Sequence, residues 1–214
     1  MKFNNNPLSE LYSNFRHIRR DDVYAQIRFY ERHADALSYL NSDEHFTVCC
    51  YYANALFAAE DFERYLLIAP EILEKSIVDN IQFVDGVDVY KDHLEKMSIA
   101  YLKLKDYETA VKICVQLYNI SGRAKKYKML LKRILKSQRP KIILDLFAVS
   151  LCLGLAWTSC EIGSLLVLEA FYAKAAIMID MLQSLLLYAL LGCSSVALLG
   201  HYFYVGRRLR KIIK

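Results

Sequence analysis

Residues 142–160 read IILDLFAVSLCLGLAWTSC, and residues 181–206 read MLQSLLLYALLGCSSVALLGHYFYVG. The first stretch carries one charge, Asp145, near one end; the second carries none at neutral pH. A helix needs about 20 apolar residues to cross the hydrocarbon core of a bilayer, and both stretches reach that length. Core helices of water-soluble domains are seldom apolar on every face. The pair therefore predicts a hairpin of two transmembrane helices. The link between them, 161–180, is too apolar for a solvated loop, so it either extends the helices or lies in the interface. Glu169, Ala173 and Asp180 fall near one helical face, which favours an amphipathic or extended helix.

Charge gives the pair an orientation. Residues 123–141 contain Arg123, Lys125, Lys126, Lys128, Lys132, Arg133, Lys136, Arg139 and Lys141 with no acid among them, and the tail adds Arg207, Arg208, Arg210, Lys211 and Lys214. The link has a single basic residue, Lys174. Lysine and arginine accumulate on the cytosolic side of membrane helices, so both termini are expected in the cytosol. Trp157, Tyr202 and Tyr204 fall where amphipathic aromatics prefer to sit, at the two interfaces. The start, MKFNNNPLSELY, lacks the apolar core of a signal peptide, and no lipidation motif is visible. A bacterial inner membrane is the expected location, with an organelle membrane the alternative.

Three polar features interrupt the spans. Asp145 is either a functional intramembrane carboxylate or, as its place four residues past Lys141 favours, a boundary residue paired with nearby cations. His201 is either a titrating group or an interfacial polar residue, and its position near the cytosolic end favours the latter. Ser194 and Ser195, with Gly192 and Gly200, are candidates for a close helix–helix contact.

The first two thirds of the chain hold most of the charge. With only seven glycines and three prolines in 214 residues, this part predicts helices joined by short loops. The expected helices are about 8–16, 22–40 (capped by Asp21 or Asp22), 44–59, 62–79 (with Pro70 as a kink or break), 88–103, 107–120 and a basic helix at 123–137. Asn41 to Glu44 form a turn and cap, Asp85-Gly86 marks a loop, and Ser121-Gly122 closes the last pair. In 94–118, apolar residues three and four apart pick out one face of each helix. The predicted fold class is all-α, an antiparallel helical-hairpin array followed by two transmembrane helices. The expected units are 1–138, ending in the basic juxtamembrane helix, and 139–214.

Two of these helix pairs share a pattern. Leu94, Met97, Ser98 and Tyr101 on one helix are followed by Ala110 and Cys114 on the next, across the turn Leu102-Lys103-Leu104-Lys105-Asp106-Tyr107. Cys49, Tyr52, Ala53 and Leu56 repeat the first part, with the turn Ala58-Ala59-Glu60-Asp61-Phe62. In both, the small residue (Ala53, Ser98) precedes the turn aromatic (Phe62, Tyr107) by nine positions. Over about 45–122 this resembles the tetratricopeptide helical repeat. The sequence departs from that family in lacking its tryptophan, in placing Tyr65 where alanine is usual, and in spacing Asp61 and Asp106 by 45 residues rather than about 34. Extra chain around 78–90 must be looped out or extend a helix. The resemblance implies partner binding on a concave face, with Tyr52, Asn54, Tyr101 and Lys105 as the candidate contacts.

No constellation for catalysis is visible: no phosphate-binding glycine loop, HExxH or GxSxG. An enzyme is therefore not expected, nor is a cofactor. The six cysteines lack metal-ligand spacing and read as small buried hydrophobes. His93 with Asp88, Asp92 and Glu95 reads as a solvated charged face, not a metal site. The basic helix lacks the interleaved aromatics of a nucleic-acid platform, so nucleic acid is not an expected partner. Lys125, Lys126, Lys132, Arg133, Arg207, Arg208 and Arg210 are instead candidate contacts to anionic lipid headgroups. The expected function is a membrane-anchored scaffold for an unidentified protein partner. The alternative is an oligomerising effector whose hairpin permeabilises or remodels the membrane, with the helical domain as sensor or assembly platform.

Overall fold

The computed structural model describes residues 7–138, 141–163 and 173–213. Its helices are α1 (Pro7–His17), α2 (Val23–Leu37), α3 (Ser42–Ala58), α4 (Phe62–Val78), α5 (Val89–Lys103), α6 (Tyr107–Ile120), α7 (Lys125–Ser137), α8 (Lys141–Gly163) and α9 (Ala173–Ile213). Two short strands, β1 (Phe83–Val84) and β2 (Val87–Asp88), lie between α4 and α5. The protein is all-α, with 84% of the described residues in helices. It divides into two compact units, Met1–Leu131 and Lys132–Lys214. That boundary falls inside α7, several residues before the expected one at 138. The first half of α7 belongs to the helical array through Cys114, whose thiol donates to the Tyr127 carbonyl, and through the Lys126–Glu95 ion pair.

In the first unit, successive helices pack in sequence order, and α3 also touches α1 and α5. Side-chain caps set the starts. Asp22, Asn41, Asp61, Asp88 and Asp106 each accept a hydrogen bond from the backbone N–H three residues on, which satisfies a donor that the first helical turn leaves open. The turns after α3 and α5 repeat each other atom for atom. Glu60 and Lys105 adopt left-handed φ of 59° and 65°. The following N–H groups of Asp61 and Asp106 then bond back to the carbonyls of Leu56 and Tyr101 at 3.0 and 2.9 Å. Buried positions repeat at the same interval: Ala53 and Ser98, Tyr65 and Ala110, and Ala69 and Cys114 are all fully buried.

Pro70 does not break α4. It is exposed on the helix surface, so water can serve the carbonyl left without its partner. The non-helical backbone lies instead at His33 in α2 (φ −117°, ψ 17°). The extra chain near 78–90 forms the β1–β2 hairpin, paired Phe83 with Asp88 and Val84 with Val87. Its two-residue loop, Asp85-Gly86, has φ of 49° and 79°, the left-handed pair that suits the twist of a tight hairpin and favours Asp-Gly.

In the second unit, α8 and α9 pack on each other. The buried positions on these helices are Gln183, Ala197 and Val205 on α9 and Ile143 on α8 among the described residues. A Cβ on Gly154 would sit 3.1 Å from the Leu190 side chain, whereas Gly192 and Gly200 have nothing within 4 Å. The glycine in close approach is therefore Gly154 rather than Gly192 or Gly200. Ser194 spends its hydroxyl on the Leu190 carbonyl one turn back. Both helices contain segments long and apolar enough to cross a membrane, Ile143–Ile162 and Met181–Ile213. The helices extend past the spans into the link at both ends, to Gly163 and from Ala173; Glu169 lies outside the described residues.

Ser98 is buried where α5 meets α6 and donates its hydroxyl to the Ala110 carbonyl at 3.2 Å. Ser98→Leu is expected to overpack this crossing and destabilise the array by about 1–3 kcal/mol or more, while Ser98→Ala stays within about 1.5 kcal/mol. Chemical denaturation followed by far-ultraviolet circular dichroism checks the difference.

Candidate functional site

A concavity of the first unit lies where α3 and α5 meet the β-hairpin. A cavity of about 160 Å³ is lined there by Arg20, Cys50, Tyr51, Asn54, Asp85, Asp92, His93 and Lys96, with Val84, Val87 and Val89 as its apolar part. Asp85, at the hairpin tip, is the hub. Its carboxylate accepts from Arg16 at 3.1 Å and Arg20 at 2.9 Å, and also from the Tyr51 hydroxyl. Both guanidiniums lie over the Tyr51 ring, 5.4 and 5.5 Å from its centre. The Tyr51 hydroxyl, then Arg16, hold the Asp85 carboxyl below its usual range. On the other wall, the Lys96 ammonium donates to Asp92 and to Asn54, each at 2.6 Å.

Beneath this surface His93 is only 1% exposed, so it is not part of a solvated charged face. Its ring stacks on Tyr65 with an interplanar angle of 15°. The Tyr65 hydroxyl lies 3.1 Å from His93 Nδ1 and 3.2 Å from the His93 carbonyl. The pair is satisfied if the hydroxyl donates to the carbonyl and accepts from Nδ1–H. The bulky Tyr65, out of place in the repeat pattern, is thus accommodated by a histidine on the next helix. No group of three or more metal-ligating side chains occurs among the described residues.

The four expected contacts separate. Asn54 lines the cavity. Tyr52 is buried, stacked on Tyr30 at 3.9 Å, and donates its hydroxyl to Glu31; Arg64 joins Glu31 to Asp61. Tyr52, Glu31 and Arg64 thus link α2, α3 and α4. Tyr101 packs against the core, and Lys105 occupies the left-handed turn position after α5. Arg16, Arg20, Tyr51 and Asp85 were missed because their meeting joins residues up to 69 apart, which no local spacing reveals. The cysteines divide too. Burial pushes the Cys50 thiol up to about 12 and the Cys114 thiol up to about 11, as for small hydrophobes. Cys152, in contrast, is exposed on α8.

A second concavity belongs to the second unit. About 480 Å³ is enclosed by Lys132, Lys136, His201, Tyr202 and Arg210 with Leu198, Phe203, Val205 and Leu209. Of the seven expected headgroup contacts, only Lys132 and Arg210 line it, and Lys136 joins them. Lys126 is paired with Glu95. Arg208 is engaged by Gln138 and by the Tyr204 hydroxyl. Lys125, Arg133 and Arg207 are exposed outside the cavity. His201 Nε2 lies 3.2 Å from the Lys136 carbonyl, so Nε2–H donates there, and Nδ1 is buried without a partner among the described residues. Asp145 is exposed; the side chain of Lys141, its expected neighbour, lies outside the described residues.

The geometry defines an all-α array carrying a polar groove, followed by a pair of long apolar helices. Compared with protein-family models, curated proteins and solved structures, the chain matches none.

Burial lowers the His93 pKa from 6.5 to about 4. The unfolded chain therefore takes up this proton first, and folding stability falls as pH drops from 6.5 toward 4. Full protonation costs on the order of 3 kcal/mol. Asp85 and Asp106, both held below the ordinary carboxylate value of 3.8, begin to lose their contribution only under that pH. His93→Gln is expected to flatten the upper window, leaving a residual slope from His45, whose pKa burial also lowers. Denaturant midpoints measured across pH check this; an unchanged slope in the variant contradicts it.

Proposed function

We propose that the chain is a membrane-anchored interaction module. In this reading α8 and α9 cross the membrane, both termini face the cytosol, and the helical array holds a partner protein in the groove between α3, α5 and the hairpin. The groove carries the proposal. It gathers polar and charged side chains on the inward helices, where stacked helical hairpins of the tetratricopeptide type bind extended or helical segments. The equal turns and equal burial at an interval of 45 residues support such a repeat.

The membrane part rests on exposure. Only 6% and 11% of the most apolar windows of α8 and α9 are buried, whereas a core helix of a water-soluble protein would be mostly covered. Leu151, Leu185 and Leu199 are 68%, 65% and 59% exposed, a surface that lipid would cover. At 1.5 Å per residue, α9 is about 60 Å long, roughly twice the hydrocarbon thickness. Its basic last turns therefore extend past the hydrocarbon core. The grouping of cations at 123–141 and 207–214 supports a cytosolic placement for both.

Photo-crosslinking amino acids placed at Asn54 and Lys96 test the module reading in the full chain. The expected result is a discrete adduct with another protein from both groove positions and none from Glu63, which is exposed on α4. Adducts only between copies of the chain, joined through α8 and α9, would overturn it in favour of a self-assembling membrane effector. That effector predicts loss of membrane potential on expression of the full chain.

A further inference from the structure

We infer that the cavity at the basic end of the α8–α9 pair is a binding site for a single anionic phospholipid, its phosphate held by Lys132, Lys136 and Arg210. The inference rests on the membrane reading above and adds a discrete site to it.

Three cations face one concavity, and among the described residues none of them forms an ion pair. The arrangement differs from that of the neighbouring basic residues, because Lys126 and Arg208 are already engaged by Glu95 and by Gln138 with Tyr204. No acid occurs from Arg123 through Leu144 or after Asp180, so no carboxylate of these segments is at hand to neutralise the three. Like charges gathered without a counter-ion repel one another, and a bound anion relieves that repulsion. Beside the three cations, Leu198, Phe203, Val205 and Leu209 give the lining an apolar side, with His201, Tyr202 and Gly206 completing it. A small hydrophilic anion would leave that surface unused, whereas a phospholipid brings phosphate and hydrocarbon together. The volume of about 480 Å³ falls in the range of small-molecule sites, about 300–1,000 Å³. The cavity also sits where the apolar run of α9 gives way to Arg207–Lys211, the depth at which a span emerging from hydrocarbon meets headgroups.

Geometry also fixes the cavity shape. His201 donates to the Lys136 carbonyl, and the Arg208 guanidinium engages Gln138. These bonds tie α9 to the end of α7, so lysines of one helix and the arginine of the other face one volume. Such pre-organisation lowers the ordering cost of binding and separates a site from a diffuse basic surface.

The test uses the full chain reconstituted in phosphatidylcholine nanodiscs containing a minor fraction of phosphatidylglycerol, with native mass spectrometry after gentle detergent release. The wild type is expected to retain one phosphatidylglycerol. K132Q/K136Q/R210Q is expected to weaken retention roughly a hundredfold, with about 1 kcal/mol per cation near an anionic surface. R207Q/K211Q, which removes nearby charge outside the cavity, is expected to retain the lipid. Equal retention by both variants overturns the site, and equal loss from both reduces it to diffuse attraction and also overturns it. Displacement of the lipid by soluble glycerol phosphate would assign the pocket to a free phosphate ester. If the wild type enters nanodiscs but holds no phosphatidylglycerol, the lipid site fails alone; if it does not enter them, the membrane reading fails with it.

Discussion

Apolar surface that the chain does not cover itself is the constraint on which the rest depends. On α8 and α9 the described residues bury only Gln183, Ala197, Val205 and Ile143, and most of their other apolar side chains are wholly or partly exposed. Exposed hydrocarbon of this extent costs about 25 cal/mol per Å² in water, and isolated soluble proteins rarely tolerate it. In the proposed reading, lipid around the pair would remove that cost. The basic end of α9 and the basic helix α7 then become sensible in composition, because cations without acids suit an anionic headgroup layer better than a protein interior.

The helical array solves a different problem, that of stacking short helices without a long-range sheet to align them. It uses capping aspartates, left-handed residues at Glu60 and Lys105, and small buried residues at the helix crossings. Its hairpin carries Asp85 to two arginines and a tyrosine. That contact closes a segment far from α1 in sequence onto the start of the array. Exposed ion pairs are individually worth little, so the contribution of this hub lies in fixing the position of the hairpin. The groove is therefore shaped by a tertiary contact as well as by the stacking of the helices.

Much of the fold is legible in sequence for local reasons. Helix limits follow from Asp22, Asn41, Asp61 and Asp106, and the loop at Asp85-Gly86, though not the two short strands that flank it, because capping and turn chemistry act over three or four residues. The apolar helices follow from composition alone. What escapes is non-local. The Tyr65–His93 pair joins helices 28 residues apart, so His93 reads as surface when only its charged neighbours are seen. Tyr52 reads as a contact by its place on the inward helix, yet it turns to Tyr30 and Glu31. Gly154 gives no sequence sign of its role because its partner, Leu190, is one leucine among many. The cationic cavity is half legible: the basic runs are plain, but only the fold shows that Lys132, Lys136 and Arg210 share a volume while Lys126 and Arg208 have other partners.

The most direct test of the central claim is alkaline extraction of membranes from expressing bacteria, followed by protease treatment of inverted vesicles. The account predicts that the full chain stays in the alkaline-washed membrane. It predicts also that protease on the cytosolic face removes the helical array and leaves a protected fragment containing α8 and α9. Release of the intact chain into the alkaline supernatant, or complete digestion of α8 and α9 in sealed vesicles, would contradict it.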